Sequence, residues 1–214
     1  GGRMKKDRSL RHRIAGGFLY LGLIAVCGIW MRGFCIRVMP ENPFLQEGRM
    51  ALGLVREAAS AEIRRMPYRL RDGKRIVYED SFLAERTYGG QRKHYGTDLM
   101  DLDNTPGEIP IYSMTYGRVS RMGWNEKGGW RVGVTSAAGI YYYYAHLAAF
   151  AENLGVGDFV EPGSLLGYMG DSGYGPQGTR GQFAVHLHLG IQAYPDAEDA
   201  GWINPYPFLQ GKKS

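Results

Sequence analysis

Six short runs of β-forming residues, none longer than nine, follow one another from residue 75 to residue 191. They are RIVYE (75–79), GRVSRMGW (117–124), WRVGVTS (130–136), GIYYYYAHL (139–147), SLLGYMG (164–170) and AVHLHLGI (184–191). Gly, Asp, Asn and Pro fill the breaks between them, where turns need unusual backbone angles or local side-chain hydrogen bonds. Runs of this length separated by such turns specify an all-β domain built on a mostly antiparallel sheet. The 32 glycines among 214 residues fit that expectation. AAFAENL (148–154) is expected to add one or two helical turns.

Upstream, the chain changes character. Residues 1–13 hold six Arg or Lys against one acid, which accounts for the whole net charge of +5; the remaining 201 residues hold 20 basic and 20 acidic side chains. A nucleic-acid groove needs its excess on the folded surface, so no nucleic-acid partner is expected. Residues 14–31 carry no charge over 18 positions. As a helix they span roughly 27 Å, close to a hydrocarbon core of about 30 Å. They are expected to form a single transmembrane helix, with the basic tail cytoplasmic and the β domain outside the cell membrane. The rival reading, a cleaved signal peptide, wants a small-residue cleavage site, and AVC at 25–27 matches it poorly. Val26 is likewise bulky for a lipoprotein signal at Cys27.

Residues 32–75 read as a juxtamembrane linker and helical spacer. Two prolines lie within 32–46, and Ala51, Leu54, Val55, Ala58 and Ile63 recur at near-helical spacing within 47–66. That stripe is thin, so the helix is expected to pack lightly on the domain or on an envelope partner protein. Residues 76–209 are left as the β domain. The two cysteines, Cys27 and Cys35, lie before it, so a metal site in the domain must use His and carboxylate.

Apart from His12 in the basic tail, the histidines are His94, His146, His186 and His188, each on or beside an expected strand. Alternation along a strand puts His186 and His188 on one face, and the even spacing of His94 and Asp98 does the same for an extended segment. His94, Asp98 and His188 together supply two neutral imidazoles and one carboxylate. That set suits one zinc ion per chain and leaves a fourth tetrahedral position for water, the open arrangement of a catalytic site. His146 and His186 remain for proton transfer and for stabilising developing charge. An H-x-H cupin site is the rival metal reading, but HLHLGIQAYPD has no Glu before Glu198.

YEDSFLAERTYGGQRKHYGTDLMD, YYYYAHL and VHLHLGI, in that order, resemble the lysostaphin/LytM-type zinc metallopeptidases over about residues 76–192, and WINPYPFL (202–209) resembles a common tail. The resemblance implies a β-sheet enzyme that cleaves peptide bonds of bacterial peptidoglycan by attack of a metal-bound water. Carried over by position, it makes His94, Asp98 and His188 the zinc ligands and His146 and His186 the catalytic pair. It offers Tyr88 as a residue that helps hold the scissile carbonyl. Arg86 and Arg92 are expected to be solvated charges rather than contacts for a substrate carboxylate.

Two stretches depart from the family pattern. MDLDNTPGEIPIYS follows Asp98 in place of the usual form, and GDSGYGPQGTRGQFAVHLHLG is a longer approach to the last motif. Loops that border a groove set specificity, so these bear on which bond is cut. The alternative is a non-catalytic envelope or sporulation scaffold on the same fold that binds a partner protein. Such a scaffold typically lacks a ligand or a catalytic histidine, and none is missing here. A small-molecule metal enzyme is a third, weaker class.

Overall fold

The computed structural model describes residues 43–70, 73–88, 90–193 and 200–210. The basic tail, the apolar run 14–31 and most of the juxtamembrane linker lie outside the described residues. Among the described residues no helix is long and apolar enough to cross a membrane. Contacts divide the chain after Met50, and the unit Ala51–Ser214 carries the sheet and everything built on it.

A helix, α1 (Pro43–Glu62), precedes twelve strands: β1 (Ile76–Val77), β2 (Glu85–Arg86), β3 (Arg92–Lys93), β4 (Thr97–Asp101), β5 (Pro110–Tyr112), β6 (Gly117–Asn125), β7 (Gly129–Thr135), β8 (Tyr141–Phe150), β9 (Phe159–Val160), β10 (Leu165–Met169), β11 (His186–Gln192) and β12 (Trp202–Ile203). A single-turn helix, α2 (Tyr206–Leu209), ends the described chain. Ten strands form one antiparallel sheet whose main order is β1–β4–β11–β8–β7–β6–β9. β10 pairs with β5 and β8, β12 pairs with β11, and β2 and β3 form a separate ribbon. The mostly antiparallel β-sheet expected from the sequence is therefore the observed fold.

Two local expectations need correcting. The spacer helix starts at Pro43 and ends at Glu62, not at 47 and 66. Its buried stripe is also displaced: Leu54 is 63% exposed, while Ala59 is fully buried. Leu52, Val55 and Ala58 pack against the core. The small Ala59 allows close approach where a larger side chain would hold the helix off. Ile63, Met66 and Tyr68 continue that stripe into the core, so this segment is integral to the domain rather than lightly packed. The second correction concerns AAFAENL: residues 148–150 extend β8, and the chain then turns at Asn153, whose φ is +61°. Pairing of β8 with β10 at Leu147–Phe150 wins over local helical propensity.

Four consecutive tyrosines show how the sheet divides its faces. Tyr142 and Tyr144 are fully buried in the core. Their hydroxyls still find partners: Tyr142 donates to Glu62 of α1 at 3.2 Å, and Tyr144 accepts from the Met114 N–H at 3.0 Å. Tyr141 and Tyr143 face the other way and line a cavity. β11 repeats the pattern, with Leu187, Leu189 and Ile191 buried in the core while His186, His188 and Gln192 line the same cavity.

Candidate metal centre

His188 pairs directly with Asp98 across β11 and β4, so their side chains rise side by side from one face. His94 arrives from the segment between β3 and β4, and it is 2% exposed. Its Nε2 lies 2.9 Å from His188 Nδ1 and 3.0 Å from Asp98 Oδ1; His188 Nδ1 is also 3.0 Å from Asp98 Oδ1. Three potential donor atoms thus form a nearly equilateral triangle.

His94 Nδ1 donates to the Ser81 carbonyl at 2.9 Å, which leaves its Nε2 as a bare lone pair aimed at two other electron-rich atoms. A cation is the natural occupant of such a triangle, and two imidazole nitrogens with one carboxylate oxygen suit zinc. Gly96 permits the arrangement. A Cβ at that position would stand 2.5 Å from His188 Cε1 and 2.6 Å from the Leu189 carbonyl oxygen.

Burial pushes the Asp98 carboxyl up, but the close imidazoles of His188, His94 and His186 outweigh it and hold the group well below the usual carboxylate range. Its second oxygen accepts from Arg86 Nη2 at 2.8 Å. Burial lowers His188 despite Asp98, so both partners favour the ligand form, carboxylate and neutral imidazole.

Beside the triangle stand His146 and His186, with ring centroids 4.6 Å apart. His186 Nε2 is 3.8 Å from Asp98 Oδ1, and its Nδ1 donates to the Ala184 carbonyl at 2.7 Å. His146 Nδ1 donates to the Ser172 carbonyl at 2.8 Å. Both rings therefore carry the Nδ1 proton and present Nε2. Burial, with the neighbouring imidazoles of His186 and His188 opposing a further positive charge, pulls His146 well below the usual imidazole value and keeps it neutral.

His146 reaches the cavity by breaking the alternation of its strand. Counting from Tyr142 and Tyr144, it belongs on the core face. Its φ is +63°, and the register with β7 slips so that Trp130 pairs with Leu147 and Val132 with Tyr144. This β-bulge turns His146 outward and returns Leu147 to the core. β8 also changes partner here: β11 pairs with Tyr141–Ala145, and β10 pairs with Leu147–Phe150. Ser172 fastens the bulge, its hydroxyl donating to the Leu147 carbonyl at 2.7 Å and accepting from the Trp130 N–H at 3.0 Å.

The structure thus brings His94, Asp98, His188, His146 and His186 together around a cavity of about 510 Å³. Tyr88 stands apart. It is 40% exposed, does not line the cavity, and stacks on Tyr174 at 4.1 Å between ring centroids. Tyr174 lines the cavity instead, 5.9 Å from His146 ring to ring, and Phe183 packs 4.6 Å from the same imidazole. Both come from the long approach to β11, where aromatic residues among the glycines are a signal that sequence reasoning passed over. Arg86 and Arg92 are not merely solvated: Arg86 holds Asp98, and Arg92 donates to the Tyr174 hydroxyl at 2.7 Å.

The model of peptidase family M23 matches residues 92–202. The chain is 42% identical over 134 residues to an L-Ala–D-Glu endopeptidase of Bacillus subtilis, covering 62% of this chain and 39% of that protein. It is 29% identical over 119 residues to lysostaphin of Staphylococcus staphylolyticus, covering 55% of this chain and 22% of lysostaphin. This chain therefore spans less than half the length of either. A crystal structure from Ruminococcus gnavus, bearing the name glycyl-glycine endopeptidase lytM, matches with a TM-score of 0.63 and 52% identity. It covers 69% of this chain and 59% of its own.

Proposed function

We propose, from the premise that this chain belongs to peptidase family M23, that it is a zinc-dependent endopeptidase hydrolysing peptide bonds of bacterial peptidoglycan. One observation carries the reading: all four histidines of the domain converge on one cavity, three of them with Nδ1 tied to a backbone carbonyl and Nε2 free for work. A scaffold that only binds a partner has no use for that arrangement.

His94 Nε2, Asp98 Oδ1 and His188 Nδ1 would hold the zinc. When bound, zinc lowers the pKa of water and polarises a carbonyl. The chain supplies the rest. His146, kept neutral by burial, accepts a proton at Nε2 and returns it to the leaving amine. His186, whose Nε2 stands 3.8 Å from Asp98 Oδ1, faces the metal centre beside His146 and is placed to stabilise the oxygen on which charge develops. Arg86 keeps the Asp98 carboxylate oriented through its second oxygen.

The relatives' names divide between a stem-peptide bond, L-Ala–D-Glu, and glycine bridges. We place the substrate among these peptides, reached from a cell membrane anchored by residues 14–31 with the N-terminus cytoplasmic. A reporter fused after Ser214 should then be active only outside the cytoplasm. The chemistry is tested by incubating the full chain, loaded with zinc, with purified peptidoglycan and identifying the released ends by mass spectrometry. New amine and carboxyl ends are expected. Undigested peptidoglycan after loading would return the chain to the scaffold reading.

A further inference from the structure

The cavity beside the triangle is strongly cationic. Arg86, Arg92, Lys93, Arg121, Lys127 and Arg131 line it, and among the described lining residues Asp98 is the one acid. Arg86 is committed to Asp98, Arg92 to the Tyr174 hydroxyl, and Lys93 to Glu85 at 3.1 Å.

Arg131 differs. Its Nη1 is buried without a hydrogen-bond partner among the described residues. A buried guanidinium nitrogen left unpaired is costly, and the fork of this side chain matches a carboxylate. Its charge also reaches Tyr141 and Tyr143, pulling both phenols down against the upward push of burial.

Register places Arg131 relative to the metal centre. Asp98 pairs with His188, and His188 pairs with Ala145. The bulge in β8 sets Arg131 against Ala145 and His146, between the pairs Trp130–Leu147 and Val132–Tyr144. Asp98, His188 and Arg131 therefore lie along one cross-strand row. Two strand spacings separate the backbones of His188 and Arg131, about 10 Å, the span of about three residues of extended peptide. Beyond Arg131 the row continues to Gly123, where an added Cβ would meet nothing within 4 Å. Arg131 itself lines the cavity, so its guanidinium borders the space that a ligand group would enter.

We propose that Arg131 binds a free carboxylate of the substrate within about three residues of the scissile bond, so that the chain selects an acidic peptide over a neutral one. This rests on the peptidase reading and narrows its substrate class. Loss of a charge-assisted pair of this kind changes affinity by roughly 10–100-fold.

The test uses the full chain and two peptides containing the L-Ala–D-Glu bond. One has its carboxylates free; in the other the carboxyl beside that bond is a carboxamide. Calorimetry on the zinc-free protein reads binding, and release of fragments from peptidoglycan by the zinc-loaded protein reads the peptidase assignment separately. Wild type should bind the acid roughly 10–100-fold more tightly than the amide. Arg131→Gln should bind both as wild type binds the amide. Arg131→Lys, which keeps the charge but not the fork, should retain part of the preference and serves if Arg131→Gln does not fold. Equal binding of both peptides by wild type, or full discrimination by Arg131→Gln, overturns the proposal whatever happens to peptidoglycan. Discrimination that depends on Arg131 in a protein that leaves peptidoglycan intact would keep the carboxylate site and remove the peptidase.

Discussion

β11 and β8 are neighbours in the sheet, and each delivers imidazole to the same cavity by an opposite device. β11 is regular: alternation alone aims His186 and His188 outward and Leu187 and Leu189 inward. β8 is irregular at the residue that matters, and His146 faces the cavity only because its backbone takes a left-handed conformation that breaks the alternation. Such a conformation in a non-glycine residue costs on the order of 1–3 kcal/mol and persists where its surroundings enforce it. Here Ser172 enforces it. One strand positions its histidines by repetition, the other by strain held from outside.

The largest expected effects fall on the regular side, where side chains and ion depend on each other. His188→Ala or Asp98→Ala should lose bound zinc and activity together, because two protein donors cannot hold the site. Elemental analysis showing stoichiometric zinc in either variant would dissolve the distinction between the strands. On the strained side, His146→Ala should keep its zinc and its fold yet lose roughly 10²–10⁴-fold in hydrolysis. His186→Ala, though it comes from the regular strand, should behave in the same way. If it instead releases zinc as readily as His188→Ala, the site has four protein ligands and is structural.

A smaller effect sharpens the comparison from the glycine under the triangle. Gly96→Ala forces a Cβ into the His188 ring and the Leu189 carbonyl, an overpacking of roughly 1–3 kcal/mol. Competition with a chelator should show weakened zinc binding while His146 stays in place. Ser172→Ala is the matching change on β8. It leaves the Leu147 carbonyl and the Trp130 N–H without the Ser172 hydroxyl, at about 1–3 kcal/mol of stability. Urea unfolding reads the stability, and hydrolysis should fall with zinc content unchanged.

The smallest effect is a pH slope in the zinc-free protein. His146 and His188 both titrate below the usual value of 6.5 in the folded state. The unfolded chain therefore binds more protons below pH 6.5, and stability is full above that pH and lost as pH falls through the window beneath it. The slope is at most about 1.4 kcal/mol per pH unit for each group. His146→Gln should flatten it in urea titrations between pH 7.5 and 5.5, and an unchanged slope would place the depressed imidazole elsewhere.

The same contrast governs what could be read from the chain. His186, His188 and Asp98 obey alternation and pairing, so their convergence was legible. The two-residue strands at 85–86, 92–93, 159–160 and 202–203 were not, because two residues show no period. The outward turn of His146 was invisible too, since the pattern YYYYAH assigns it to the core. It entered the candidate set as a histidine left over once the metal ligands were counted, and the resemblance then supported its role. The setting of Tyr88 was hidden for a related reason. Its distance along the chain from His94 says nothing of the loop 171–185, which puts Tyr174 between it and the cavity. Arg131 gave no signal, because nothing in WRVGVT separates a cavity arginine from a surface one.

The seam where β8 trades β11 for β10 has an engineering consequence. β10 and β11 meet nearly end to end along one edge of β8, joined by the Gly170–His186 bridge, and the intervening chain leaves the sheet as a loop. Its inner parts are tied down by Ser172, by the Gly175 N–H on the Glu126 carbonyl at 3.1 Å, and by Phe183 against His186. Further out, the Thr179 carbonyl accepts from the Gly173 N–H, Arg180 donates to the Ala148 carbonyl of β8 at 2.6 Å, and the Gly181 N–H donates to Asp171. The tip at Gln177 and Gly178 is the part outside those ties. Chain can be added, removed or exchanged there without changing the register of either strand, so the rim of the groove can be rebuilt as an interchangeable part while the imidazoles beneath it stay where they are.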